Sequence, residues 1–337
     1  MPVRVAFVGL GRIASLLEDD SKREKPASHA GAFSQVPGTV LGGGWDLEPE
    51  RCKLFSQRWS VPTDFSGPQN LLDSVKPEIL VVATGPESHA ELVAMACLCG
   101  VPVVVCEKPL TADLAQARRL VRQVARSNTK VMINHERRYA RDYSRVREII
   151  GRQTYGRLLS VNAKLFMGRG RTPGEVLLWD GTHTIDILRF LIGGEVSSVC
   201  TWGRAEVKGD KLSARFLVGE TEVFLETASN RDHLVFELDL SFERGRIRIG
   251  NGLFEEFVGG VSPLYDSMRS LLAVEVDAAG LYPTHYFSGM AQDAVRAATE
   301  PSYQPVSTIG DGLAALEAIE AILKSSGSSL RRIASLN

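Results

Sequence analysis

The chain has 337 residues, 44% hydrophobic and 23% charged, enough for two ordinary domains whose cores need no disulfide or metal staple. Lys and Arg number 39 against 40 Asp and Glu; the net charge of −1 leaves no basic surplus to drive binding of nucleic acid or a membrane surface. No apolar run approaches the roughly 20 residues that span a bilayer, no leader precedes Val3, and the five cysteines lack CxxC spacing, so a reducing cytoplasm is the expected setting.

The first half alternates short apolar runs with helical patterns. Runs at Val3–Val8, Thr39–Trp45, 79–83, 101–106 and Lys130–Ile133 suit strands buried on both faces, as in a parallel sheet. Residues 87–99 and 112–126 carry helical spacing; Leu114, Ala117, Leu120, Val121 and Val124 line one side of the second, with Thr111 as its N-cap. This rhythm predicts a doubly wound α/β domain over residues 1–130. From 131 to 337 the pattern changes. Leu234, Phe236, Leu238, Leu240 and Phe242 alternate with Glu237, Asp239, Ser241 and Glu243; Arg244-Gly245 marks a turn, and Ile247 and Ile249 alternate with Arg246 and Arg248. Further strands are expected at 199–207, 214–218 and 222–226, and closing helices at 285–299 and 309–325. The second half thus reads as an α+β domain with an open, mostly antiparallel sheet.

Gly9-Leu10-Gly11-Arg12-Ile13-Ala14 reads GxGxxA directly after the first strand. The first glycine permits a tight turn, the second a close approach of backbone to pyrophosphate, and the small Ala14 close packing, with a helix N-terminus facing the phosphates. A ribose-binding acid is expected about 20 residues on. Asp46 fits at the end of the second strand, yet it lies 32 positions beyond Ala14 (46 − 14), about 12 too many. Residues 16–28, charged and containing Pro26, have the look of an inserted loop that explains the excess. A carboxylate at Asp46 favours NAD over NADP, a preference that Arg12 would weaken.

Glu107-Lys108-Pro109 follows the fourth strand, where ligands of open α/β sheets sit. An ammonium there can donate to a reacting oxygen and stabilise developing negative charge. With this segment the chain resembles the Gfo/Idh/MocA oxidoreductases (glucose–fructose oxidoreductase, inositol dehydrogenase, rhizopine catabolism) over nearly its whole length. VAFVGLGRIA, ATGPESHAEL, VPVVVCEKPLT, NHERRY, WDGTHTIDILRFLIG and GDGLAALEAIEAILKSS carry the resemblance. It implies a nicotinamide-binding Rossmann domain, a C-terminal substrate-binding and oligomerisation domain, and hydride transfer at a secondary alcohol or ketone of a sugar or cyclitol. It also implies a homodimer or homotetramer built through the C-terminal sheet.

Within that resemblance Lys108 matches the catalytic lysine, and His183 in Asp180-Gly181-Thr182-His183-Thr184-Ile185-Asp186 the general base. His183 and Asp186, three apart, would share one helix face. Many members carry an acid four residues before the histidine; here that position is Trp179 and the acid is Asp180. Asp180 either reaches substrate from a loop or caps the helix. Thr84, Pro86 and His89 match a loop beside the nicotinamide, and Glu107 is assigned a cofactor contact. Ile13 completes the cofactor set. Arg137, Arg138 and Tyr139 meet substrate hydroxyls or form a solvated helix start; Arg169 and Arg171 grip an anionic substrate group or are solvated. No metal-ligand spacing occurs among the six histidines. Two other readings stay open: a reductase of an imine, diene diol or aldehyde, and a silent dinucleotide-sensing regulator.

Overall fold

The computed structural model describes residues 2–325. In chain order it contains β1 (Val3–Val8), α1 (His29–Gln35), β2 (Thr39–Trp45), α2 (Pro49–Trp59), α3 (Pro68–Val75), β3 (Ile79–Val82), α4 (Pro86–Leu98), β4 (Val103–Cys106), α5 (Leu114–Val124), β5 (Lys130–Ile133) and α6 (Arg141–Gly151). There follow β6 (Leu158–Met167), α7 (Pro173–Trp179), α8 (Gly181–Ile192), β7 (Val196–Gly203), β8 (Lys211–Val218), β9 (Thr221–Ala228), β10 (Leu234–Phe242), β11 (Gly245–Gly250), β12 (Leu253–Val261), β13 (Arg269–Ala273), α9 (Tyr286–Thr299) and α10 (Ile309–Lys324).

The chain divides into two units. The first holds residues 1–141 and 279–316, the second 142–278 and the remainder. The division therefore falls beyond β5, not at 130, and the chain returns to its first unit near the end. The reason is packing. β5 completes the first sheet, and Phe287, Met290, Ala291, Ala294 and Ala297 of α9 share a core with Val3, Phe7, Phe33, Val81 and Val105. Residues 326–337, the tail of the expected second domain, lie outside the described residues.

The first sheet runs β2-β1-β3-β4-β5, all parallel. Strands β3 and β4 are buried throughout, as their continuous apolar runs require. Strand order reverses at β1, so the β1/β3 crevice at the carboxyl edge is the switch point where such sheets bind ligands. Asp113, not Thr111, caps α5: its side chain accepts from the Gln116 amide at 2.8 Å, while the Thr111 hydroxyl donates to the Asp113 carbonyl.

The second unit carries an eight-stranded sheet, β13-β12-β11-β10-β6-β9-β8-β7. It is antiparallel except where β6 and β9 pair in parallel. The hairpin of β10 and β11 keeps the alternation read in the sequence: Leu238 faces Ile249, and Asp239 faces Arg248. One face buries Val161, Leu238, Leu240, Ile247 and Ile249, with α7 and α8 against β6 and its neighbours. The other carries a charge ladder from Lys164 through Glu237 and Arg248 to Glu255. The strand expected at 199–207 runs instead from Val196 and stops at Gly203, where φ turns to +107°.

Candidate active site

The glycine loop joins β1 to what should be one helix. Gly9 adopts φ +86°, and a Cβ there would stand 2.7 Å from the Ala83 carbonyl, so the close approach of β1 and β3 demands glycine. Beyond Gly11 the expected helix is interrupted. Residues 11–17 make one helical turn, with Ser15 N–H bonded to the Gly11 carbonyl, and a 3-10 turn follows at Leu16–Asp19. The helix resumes at His29, whose N–H bonds to the Ile13 carbonyl at 3.0 Å; Ala30 likewise bonds to Ala14. These offsets are 16 where an α-helix has 4, so 12 residues are looped out without loss of helical register.

The loop is a built structure. The Lys25 ammonium donates to the carbonyls of Leu17, Glu18 and Asp20, and Glu18 accepts from Ala27 N–H and the Ser28 hydroxyl. Arg58 of α2 grips Asp19 with two bonds. Glu24 accepts from the Thr284 amide at 2.6 Å, its hydroxyl, and the His285 amide, supplying the N-terminus of α9 with a cap that His285 itself does not give.

Beside the glycine loop lies a cavity of about 630 Å³, lined by Gly9, Gly11, Asp46, Arg51 and Thr84 among others. Its volume and its floor of glycine backbone suit a dinucleotide's adenosine and phosphates. Asp46 follows β2 directly. One of its oxygens accepts the Leu10 amide at 2.7 Å and the other the Glu48 amide at 2.9 Å. Arg51, not singled out by the sequence, stands 3.5 Å from Asp46 on α2. Of the other expected cofactor residues, Arg12 is exposed, Ile13 packs against the core, Ala14 and Pro86 are buried, and none of these lines the cavity.

The next loop along the carboxyl edge carries Lys108, half-buried, one residue past a fully turned-in Glu107. The Glu107 carboxylate does not line the cavity. It accepts from Asn134 Nδ2 at 2.6 Å, sits 2.8 Å from His29 Nε2, and bonds the Lys108 amide at 3.3 Å. Burial pushes the Glu107 carboxyl up, but His29, the Lys108 charge and Asn134 together hold it below its ordinary value. His29 is wholly buried, edge-on to the Phe287 ring at 5.4 Å. Its position was findable: removing the 12 excess residues puts it one turn after Ile13. From the other side His89, also wholly buried, lies 3.0 Å from the Pro109 carbonyl and 3.1 Å from that of Thr84, bridging the two loops. Burial holds its pKa below the ordinary value, against the two carbonyls that pull it up.

Arg138 and Tyr139 belong to a 3-10 turn of the first unit, Glu136–Tyr139. The Arg138 guanidinium is buried against Asp311 at 2.8 Å and the Val306 carbonyl at 2.7 Å, and the Tyr139 hydroxyl donates to Asp293. Both side chains are thus engaged in the fold, which a substrate contact would have to break.

In the second unit, Thr172 and Glu175 form a capping box that starts α7. Asp180 lies between α7 and α8 and makes no capping bond with its side chain; its carboxylate pairs with Arg171 at 2.8 Å. It stands at the N-cap position of α8 without a side-chain capping bond. His183 is half-buried in the first turn of α8, and Asp186, three on, is buried beside Arg189 at 3.9 Å. Arg189 is itself held by two bonds to Glu195. Arg169 is exposed, and Trp179 is 37% exposed. Among the described residues no cluster of His, Cys, Asp or Glu has metal-binding geometry, and no helix is long and apolar enough to cross a membrane.

A parallel sheet with its glycine loop and acid at the switch point defines a dinucleotide-binding Rossmann domain. Residues 3–135 match the model of the Gfo/Idh/MocA oxidoreductase family with its NAD-binding Rossmann fold, so this part of the chain is a cofactor domain of that family's type. It is 23% identical over 203 residues to a myo-inositol 2-dehydrogenase of Thermotoga maritima, covering 58% of this chain and 57% of that one. It is 24% identical over 255 residues to a D-apiose dehydrogenase of Rhizobium rhizogenes, covering 68% and 71%. An oxidoreductase of Desulfitobacterium hafniense, titled NADPH-dependent, superposes with a TM-score of 0.80 at 17% identity over 97% of this chain and 96% of that one, a likeness of fold.

Proposed function

We propose that the protein is a nicotinamide-dependent dehydrogenase of sugar-like alcohols, interconverting a secondary alcohol and its ketone, with NAD preferred to NADP. The observation that carries this reading is Lys108 on a loop at the carboxyl end of β4, locked from both sides by buried groups, on the same sheet edge as the glycine-floored cavity. The inositol and apiose dehydrogenases among its relatives point to the substrate class.

In this reading Gly9, Gly11 and Thr84 bind the dinucleotide and Asp46 accepts from ribose hydroxyls. When bound, the nicotinamide gives or takes the hydride. Lys108 donates a hydrogen bond to the reacting oxygen and stabilises its growing negative charge. His183 takes the hydroxyl proton during oxidation and returns it during reduction. The Asp180–Arg171 pair, with Arg169 and Asp186, orients substrate groups near His183. The enzyme works in the cytoplasm as a homodimer or homotetramer joined through the eight-stranded sheet. The test is a panel of inositols, pentoses, hexoses and nucleotide sugars followed at the nicotinamide absorbance. Lys108→Ala should lower turnover at least 100-fold, the scale of a lost transition-state donor, and leave NADH affinity within about threefold of wild type. Unchanged turnover would remove Lys108 from the chemistry.

A further inference from the structure

We propose that His29 is a positioning residue that acts on Lys108 through Glu107, holding a negative charge directly beneath the lysine's loop. The proposal rests on the reading of Lys108 given above. Three elements converge on one carboxylate: His29 from the first turn of α1, Asn134 from the residue after β5, and the Lys108 amide from its own loop. The charged and titratable groups around Glu107 are His29, Lys108, Glu136, His89 and Cys106.

Stability alone does not explain the arrangement. Nδ1 of His29 and Oδ1 of Asn134 are both buried with no hydrogen-bond partner. Each unpartnered buried polar atom is destabilising. What the polar pair accomplishes is to fix a buried carboxylate that also holds the Lys108 backbone amide. The looped-out segment keeps this intact, because His29 re-enters in register with Ile13 and Ala14.

The test needs no substrate. Lys108 is trapped as the imine of pyridoxal 5′-phosphate, the amine nitrogen attacking the aldehyde carbon with loss of water, and the imine is fixed by borohydride. The labelled peptide is quantified by mass spectrometry at neutral pH, with exposed Lys53 as internal reference. Only the uncharged amine reacts, so loss of the charge beneath it speeds trapping. Glu107→Gln should raise the Lys108 rate, the direction expected when the opposite charge bonded to its own loop is removed. His29→Leu should raise it comparably, and adding it to Glu107→Gln should change nothing further. His29→Gln, which keeps a donor, should return the rate to near wild type. Equal Lys108 rates in all folded variants, or additive effects in the double variant, would overturn the proposal. Lack of turnover on the polyol panel with these rates as stated would instead remove the dehydrogenase reading and leave the linkage standing.

Discussion

At Asp46 both carboxylate oxygens already hold backbone amides, and Arg51 sits 3.5 Å away on an exposed stem. The acid is thus held by backbone amides, while the arginine side chain is half exposed beside it. Asp46→Ala should weaken NADH about 10–100-fold by fluorescence titration, the worth of a lost charged acceptor, and weaken NADPH much less. Arg51→Ala should widen the preference for NADH, since the cation that offsets repulsion of a 2′-phosphate is gone. Equal affinities in wild type and Asp46→Ala would place the ribose elsewhere. Arg138 makes the opposite case: its pairing with Asp311 gives it a structural task. Arg138→Met should cost about 3 kcal/mol in denaturant unfolding, as for a broken buried pair. Burial pushes the Asp311 carboxyl up, but Arg138 and Thr308 hold it below its ordinary value. That contribution is present above the unfolded-state pKa, near 4, and is lost as pH falls through the folded one. Wild type should lose stability below pH 4 more steeply than the variant; parallel curves would contradict the pairing.

At the scale of elements, the looped-out segment shows what sequence spacing reveals and where it stops. The 12-residue excess before Asp46 was legible, because a strand end and its acid have a known distance from the glycine loop. The place where the helix resumes was legible with it, since the charged run 16–28 ends just before His29, where the helix restarts. The engagements of Glu107 and Arg138 were hidden: His29, Asn134 and Asp311 come from distant parts of the chain, and no local pattern encodes the pairings. Excising residues 17–28 joins Leu16 to His29 in phase. The shortened protein should fold with undiminished helical circular dichroism. It should lose stability through the missing Glu24 cap on α9, at about 1–2 kcal/mol; Glu24→Ala should reproduce most of that loss. An excised protein that fails to fold would show that the loop is integral to the first unit.

For the whole molecule, the parallel sheet and the change to alternating strands were readable from periodicity alone, as was the hairpin of β10 and β11. The return of residues 279–316 to the first unit was not. A helical pattern reports one apolar face but not which sheet it covers, and α9 finds β3 and β4, far upstream in the chain, through Phe287 and Met290. The second sheet bears a charge ladder on one face, from Lys164 to Glu255. Proposed assembly through that sheet predicts a dimer or tetramer mass by light scattering at micromolar concentration, and a monomer would count against it. Hydride transfer assisted by Lys108 is the chemistry proposed. Incubating enzyme with C4-deuterated NADH and the ketones of the polyol panel, then weighing the product, shows whether it occurs. One deuterium gained per product molecule with wild type and none with Lys108→Ala is the expected result. Tight NADH binding with no deuterium in any product would contradict it.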